Sequence, residues 1–576
     1  MRKKSGSDNP SKNKINVRRQ NMMFLLSSVL VIVAVTMISS RFFVRLDLTA
    51  ERRFTLTEAT RDMLRELDDI VYFRVYLEGD FPVGFTRLRN QTREMLDEFR
   101  AHNHNVQYDF INPTVEGDRE LTDENYSMLI SKGLEPTQLK VQTEDGASQQ
   151  IIFPGVIVSY RGKEIAVSLL QEQLGMSSEH ALNHSAQMLE YNLAFAIQTL
   201  TAEERPVVAF LGGHSALQPP DVADITYEMG RFYEVRQLTI NSNINALDDV
   251  TTLVIAKPVQ QFTEEDKFVI DQFIMRGGSV LWLIDPVFAS MDSLRVAPET
   301  IGMAWPINLD DMLFRYGVRL NANLITDLQC LPIPMTTGFI GDRPQISMVP
   351  WYFFPLVRPA SDHPVVKNLN PIKTEFVSSL DTISSPGIQK SILLATSQYT
   401  RVLNTPARIS FDIMQSPPDE RQYRDGQQAV AVLLEGRFES VFRHRRVPLQ
   451  GGLPAGYTPI DIGEHSRMIV VSDGDIIRNQ FDSQGMPLPL GFDRHLNQTF
   501  GNSDFIINAI NYLTDDTGLI EARSREMRLR LLDSSRINND KAMLQFLNVL
   551  LPLLFIFIFA VLRFIWRKRK YNQKVV

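Results

Sequence analysis

The sequence predicts an α/β ectodomain held to a membrane by two helices, one near each end of the chain. Three features carry that prediction. An apolar run lies near each terminus, the long middle is acidic between two basic tails, and the middle alternates short apolar strands with amphipathic helices.

The C-terminal run Phe546 to Lys570 reads FLNVLLPLLFIFIFAVLRFIWRKRK. About 20 residues rising about 1.5 Å each cross a hydrocarbon core of roughly 30 Å. Trp566 suits the interface and Arg563 can snorkel, so residues 546–566 form the span. Arg567, Lys568, Arg569, Lys570 and Lys574 then make a basic tail, 567–576, that the positive-inside rule keeps cytoplasmic. Near the other end, residues 1–21 form an unstructured basic tail and Met22 to Ser40, MMFLLSSVLVIVAVTMISS, a first span. Small Ser39 and Ser40 raise the alternative of a cleaved signal peptide, but no A-x-A-like site is present and the run is long for one, which favours an anchor. Both basic flanks lie outside the segment between the spans, so both termini share the cytoplasm and residues 41 to about 541 face the other side.

The net charge of −7 hides an asymmetry: residues 1–21 and 563–576 each contribute six net positive charges, so the chain between them stands at −19. An acidic body repels phosphates, which argues against nucleic acid as a partner. The lone Cys330 precludes an intrachain disulfide or a cysteine-bound zinc and reads as a small buried hydrophobe.

Residues 41–200 form the first ectodomain unit. Thr55 and Glu58 have capping-box spacing before a helix carrying Ala59, Met63, Leu64 and Leu67 on one face. A strand at 71–77, a helix at 86–101 and a strand at 106–111 make a crossover unit that fits a thioredoxin-like layout, without the C-x-x-C of redox chemistry. Residues 143–150 read as a polar loop, 151–168 as a hairpin turning at Arg161-Gly162, and 178–199 as a long helix.

Residues 201–523 form the second unit. Strands at 207–211, 235–238, 252–256 and 279–284 alternate with helices at 223–231 and 264–275, the latter capped by Thr263. Buried strands separated by helices indicate a parallel sheet covered on both faces, resembling flavodoxin-like and class I glutamine amidotransferase-like sheets. The amidotransferase chemistry is excluded because no cysteine sits at a strand-to-helix elbow. Residues 290–364 are rich in Pro, Gly and aromatics, with a helix at 308–316. Further strands are expected at 374–378, 391–395, 429–435 and 467–472, a closing helix at 504–514, and a juxtamembrane helix within 524–545, beginning at 524–532.

In such sheets ligands sit beyond the carboxyl ends of the strands. Those ends carry Gly212, Gly213, His214 and Ser215, then Lys257-Pro258, then Asp285-Pro286, and Gly212 to Ser215 with Asp285 are the candidate ligand-binding residues. The GGHS turn matches neither G-x-S-x-G nor a P-loop, so a hydrolase built on His214 and Ser215 is only an alternative reading, and no catalytic residue is assigned. His180 and His184 have the spacing of two metal ligands but lack a third. Asp473 and Asp475 could hold a cation or simply shape an Asx turn, and no metal or cofactor is assigned. Trp351, Tyr352, Phe353 and Phe354 are costly to expose and are either core or a partner surface.

Longer segments carry a family resemblance. LDLTAERRFTLTEATRDML after the first apolar run, VYLEGDFPVGFTRLRNQTREMLDEFR, VVSDGDIIRNQ, and GNSDFIINAINYLTDDTGLIEARSREMRLRLLD before the second together resemble the GldG family of gliding motility-associated ABC-transporter auxiliary proteins of Bacteroidetes. The resemblance implies an inner-membrane protein with a periplasmic domain. It also implies a substrate-binding role beside a GldF-like ABC permease and a GldA-like ABC ATPase, linked to motility and secretion, with envelope proteins as further partners. It supplies no catalytic residues. The absence of a Walker A motif agrees with ATP hydrolysis residing in a partner. A structural scaffold that docks envelope proteins is the remaining alternative.

Overall fold

The computed structural model describes residues 10–41, 55–115, 117–143, 146–171, 178–214, 216–414, 417–449, 452–524 and 540–572. They divide into two compact units, Met1–Thr55 and Leu56–Val576.

In the first unit a single helix, α1 (Pro10–Arg41), contains the apolar stretch Met22–Met37. The basic segment expected to be unstructured is helical from Pro10 onward, because extending an existing helix adds one hydrogen bond per residue and proline is tolerated at its first position.

The second unit opens with α2 (Glu58–Glu66). Its cap is Thr57, not the expected Thr55: the Thr57 hydroxyl accepts the Thr60 N–H, and Glu190 accepts both the Thr57 N–H at 2.6 Å and its hydroxyl at 2.8 Å. The crossover unit follows as β1 (Val71–Val75), α3 (Val83–His102) and β2 (Val106–Phe110), the two strands parallel. After α4 (Arg119–Ser131), capped by Asp118, come a hairpin of β3 (Thr137–Thr143) and β4 (Gly146–Ile152) and a second of β5 (Gly155–Tyr160) and β6 (Lys163–Ser168). The first hairpin occupies the expected polar loop, since paired backbones need no apolar face of their own. The second turns at Arg161 (φ 47°) and Gly162 (φ 81°), the left-handed pair that a tight hairpin requires. The sheet order is β2-β1-β5-β6, with β5 antiparallel to both neighbours. Helix α5 (Ser178–Thr201) closes this core with Leu189, Leu193 and Ile197, and Leu519, Ile520 and Ala522 return from the far end of the chain to pack into it.

A ten-stranded sheet dominates the rest. Strands β7 (Val207–Leu211), β8 (Glu234–Leu238), β9 (Thr252–Ala256) and β10 (Ser279–Leu283) are joined by Ile462–Val471, all parallel, in the spatial order β8-β7-β9-β10-(Ile462–Val471). Chain direction reverses its spatial progress between β7 and β9, which makes that gap a topological switch point. The central strands β7, β9 and β10 are buried along their whole length. Helices α6 (Ala223–Met229) and Asn502–Thr514 cover one face through Ile225, Phe505, Ile506 and Ala509. Helix α7 (Glu264–Met275), capped by Thr263 as expected, covers the other through Phe268, Val269 and Phe273.

Beyond Ile462–Val471 the sheet turns antiparallel through Ala429–Glu439, Ile388–Ala395, Arg343–Pro359 and Cys330–Ile340. The last two form a long hairpin where the proline content suggests irregular chain. Proline is compatible with it because Cys330–Ile340 is an edge strand with register shifts at Cys330/Pro332 and Thr336/Gly338. Trp351, Tyr352, Phe353 and Phe354 lie in this hairpin at 0, 8, 1 and 7% exposure. They are core and not a partner surface, because the strand is covered on both faces here: Trp351 meets the rings of Phe353 and Phe411, and Phe354 meets Phe376. The strand expected at 374–378 is replaced by Ile372–Lys373 and Leu380–Thr382, since Phe376 adopts a left-handed φ of 52°.

The chain ends in the continuous helix Met543–Arg569, long and apolar enough to cross a membrane. A π-helical turn, Phe546–Leu550, stands just before Pro552, where the missing N–H and the ring disturb regular α-helical bonding. Of the expected juxtamembrane helix, residues 525–539 lie outside those described.

Candidate functional site: a charged cavity at the strand ends

The carboxyl ends of β9, β10 and Ile462–Val471 deliver Lys257, Asp285 and the turn Ser472-Asp473-Gly474-Asp475 to one place. Lys257 has a left-handed φ of 50°, which ends β9 and brings its side chain across. Its ammonium lies 3.1 Å from Asp285 and is also paired with Asp475. Gly474 donates its N–H to Asp285, and a Cβ there would stand 2.7 Å from the Lys257 Cβ, so only glycine lets the two chains approach. Asp473 accepts the N–H groups of Asp475 at 2.8 Å and Glu375 at 2.9 Å. The Asx turn anticipated in the sequence is therefore present, and it also tethers the broken strand that carries Glu375.

Each carboxylate of Asp285, Asp473 and Asp475 has an oxygen within 4.8 Å of the others, a grouping of the kind that holds metal ions. Lys257 already lies against two of them, so an ammonium supplies the positive charge that a metal would bring. Burial opposes that charge, but Asp285 and Asp475 outweigh it and hold the Lys257 pKa well above its ordinary value. Burial raises Asp473, reinforced by Asp285 and Asp475, and it raises Asp285 despite Lys257.

Above these charges opens a cavity of about 610 Å³. Charged residues of both signs line it, Lys257, Lys373, Arg478, Arg295 and Arg494 with Glu375, Asp475, Asp292 and Asp493, together with the apolar side chains of Leu331, Ile333, Met335, Phe354 and Phe376. Arg478 is 3.2 Å from Asp221 and 3.6 Å from Asp475, while Lys373 donates to the Phe492 carbonyl at 3.1 Å. Burial and the negative charge of Asp475 push the Glu375 carboxyl up to about 7, against the pull of Lys373, Lys257 and Arg478. Ser290, the hydroxyl-bearing residue among those lining the cavity, accepts the Asp292 N–H at 3.1 Å as the cap of the short helix Met291–Val296. The set can bind and exchange a proton at Glu375.

Of the residues singled out in the sequence, Asp285 does not itself line this cavity but pairs with Lys257, which does. Gly212, Gly213 and His214 follow β7, next to β9, and do not line it. Gly212 donates to the Leu238 carbonyl at 2.6 Å, and Gly213 has a φ of 80°. His214 lies 3.2 Å from Asp266 and stacks on Phe262 at 4.0 Å, while its carbonyl accepts the Val259 and Gln260 N–H groups, so it clasps two loops together. Ser215 lies outside the described residues. His184 is mostly buried with its pKa lowered to about 4 by burial and Arg523, and His180 and His184 belong to no metal-ligating group among the described residues. Sequence reasoning missed Glu375, Lys373 and Arg478. Only the VVSDGDIIRNQ stretch signalled this region, through the paired acids beside a strand end.

The protein thus joins an α/β body, with a charged cavity where parallel strands end, to a helix near its C-terminus that is long and apolar enough to cross a membrane. The family model described as an ABC-type uncharacterized transport system matches residues 205–509, more than half of the chain, and the chain belongs to that family as an auxiliary component of an ABC-type transport system. A second model, a domain of unknown function (DUF7088), matches residues 50–159. The chain is similar to an uncharacterized protein of Borreliella burgdorferi, 22% identical over 547 residues that cover 92% of this chain and 94% of the relative. Among solved structures, the mmIFT52 N-terminal domain aligns with 54% of this chain and 97% of its own at 10% identity, with a TM-score of 0.30, too slight a likeness to support an argument.

Proposed function

We propose that the protein is a non-enzymatic subunit of the GldG type, anchored in the inner membrane by Met22 to Ser40 and residues 546–566, with its main body periplasmic. Its cavity binds a ligand, and the chain couples occupancy to an ABC permease and ATPase in motility or secretion. The observation that carries the reading is the charged cavity at the ends of parallel strands in a chain of this family. Two strand orders support it: β2-β1-β5-β6 fits the thioredoxin-like layout without its cysteines, and the five parallel strands follow the flavodoxin-like order. A binding role, in place of catalysis, is supported by Lys257 being held as ammonium and Ser290 being engaged as a helix cap. For the hydrolase alternative, His214 is already committed to Asp266.

Purification of the full chain from native membranes in mild detergent tests the reading. An ABC ATPase and a permease should copurify, and recovery of neither would overturn it. The scaffold reading draws on the far end of the long hairpin, where Phe339 and Ile346 are 71% and 65% exposed. It gains if envelope proteins copurify and cavity substitutions change nothing.

A further inference from the structure

The C-terminal span carries an irregularity that a plain tether does not need. Every residue from Met543 to Arg569 is exposed and none of its apolar window is buried in the chain, so its surface meets only lipid or another protein. Two consecutive backbone carbonyls near its start lack their regular donors. Pro552 has no N–H to give the Asn548 carbonyl. In the π-helical turn Phe546–Leu550 the Leu551 N–H goes to the Phe546 carbonyl, so Leu547 loses its regular donor as well. The Asn548 side chain does not make up the loss: its amide donates to the Leu544 carbonyl at 3.0 Å, and its oxygen adds a third acceptor. With Trp566 at the cytoplasmic boundary, a hydrocarbon core of roughly 30 Å reaches back about 20 residues, to Phe546, and helical carbonyls point toward the C-terminus. The three acceptors therefore lie inside that core. Water is excluded there, so each acceptor left unmet is costly, and a neighbouring helix is the usual remedy.

We propose that a transmembrane helix of the ABC permease packs against this span along Asn548, Pro552, Phe555 and Phe559, and that its hydroxyl or amide side chains donate to the Leu547 and Asn548 acceptors. The inference rests on the ABC-subunit reading above and assigns the surface that holds the partner. The Asn548 carbonyl points at Pro552, and Pro552, Phe555 and Phe559 follow one another down one helical face, where both phenylalanines are 64% exposed. Depth and hydrogen-bonding balance select the occupant. Acceptors inside the hydrocarbon are met only by a partner that is itself in the membrane, and in an ABC-type system that component is the permease, the ATPase being peripheral. A second copy of this span would bring the same three acceptors with one spare amide N–H, so self-pairing leaves most of them unmet.

The test compares full-length variants recovered from native membranes in mild detergent. Pro552→Leu restores an N–H within an apolar helix, so it should insert fully and leave the melting temperature of the body unchanged. It should nonetheless cut the permease recovered per subunit about fivefold, the effect of roughly one interhelical hydrogen bond, while Phe557→Leu on the opposite face should not. In a Cys330→Ser background, which removes the native thiol, a photoreactive maleimide on Phe555→Cys should cross-link the permease, and the same probe on Phe557→Cys should not. Unchanged recovery with Pro552→Leu, or cross-linking from both faces alike, would overturn the proposal and leave the subunit reading standing. Cross-linking to a second copy of the chain would overturn the occupant. Failure of the wild-type chain itself to bring down a permease would overturn the subunit reading, and this inference with it.

Discussion

Replacing Lys257 by methionine removes the one side chain that neutralises both Asp285 and Asp475, and its cost can be worked from the geometry. At the 3.1 Å separation from Asp285, an effective dielectric of about 20 gives an attraction of about 5 kcal/mol, before the expense of burying the ammonium is subtracted. Breaking a buried pair from one side typically costs about 3 to 5 kcal/mol, and because the Lys257 side chain is 20% exposed the lower end applies, about 3 kcal/mol. For a compact unit of this size, with about 2.1 cal/mol/K of unfolding entropy per residue, that is a fall in melting temperature of roughly 3 to 5 °C at pH 7.5. Tryptophan fluorescence of the full chain in detergent during a thermal ramp reads it, since Trp282 is fully buried on β10, the strand that leads to Asp285. The pH dependence supplies the sign. In the variant the orphaned carboxyls have folded pKa values raised above those of the unfolded chain, so the native state is penalised as pH rises and the gap from wild type narrows toward pH 5. In the wild type the Lys257 pKa is raised on folding, so its contribution is fully present below about pH 10.4 and is lost only as pH climbs through the folded value. A shift below about 1 °C at pH 7.5, or a deficit that does not shrink in acid, would refute the account.

Two further outcomes follow from the same structure. Trp351→Ala should destabilise the chain by about 3 to 5 kcal/mol, read as a large loss of melting temperature, because its ring is fully buried among Phe353, Phe354 and Phe411; a stable variant that merely fails to copurify partners would restore these aromatics to an interface. Cys330, its thiol pushed up to about 12 by burial and by Asp327, should resist iodoacetamide at pH 8 in the folded protein and react once denatured; rapid labelling of the native chain would contradict that environment.

Some of this architecture was legible in the sequence because it depends on neighbours along the chain. The strands β7, β9 and β10, the Thr263 cap of α7 and the Arg161-Gly162 turn are local signals of apolar run length, capping chemistry and left-handed backbone. The apolar runs near both ends were equally plain. Errors arose where distant contacts override local preference. The proline-rich hairpin Cys330–Ile340 with Arg343–Pro359 holds because it is an edge ribbon packed over one end by its aromatic cluster, and α4 went unseen among polar residues.

The site divides in the same way. Alternating strands and helices, read by themselves, pointed to the ends of the parallel strands as the candidate binding region, and the sequence there drew attention to Asp285 and the acids at 473 and 475. Only the tertiary structure decided which strand ends converge. Lys257, Asp285 and Asp475 are brought together because β9, β10 and Ile462–Val471 are adjacent in the sheet, although the last joins almost two hundred residues later in the chain. Glu375 enters through a strand broken at Phe376 and tied down by Asp473. No local pattern encodes that meeting, because Coulomb interaction and burial depend on separation in space, and it is the sheet order that sets the separation.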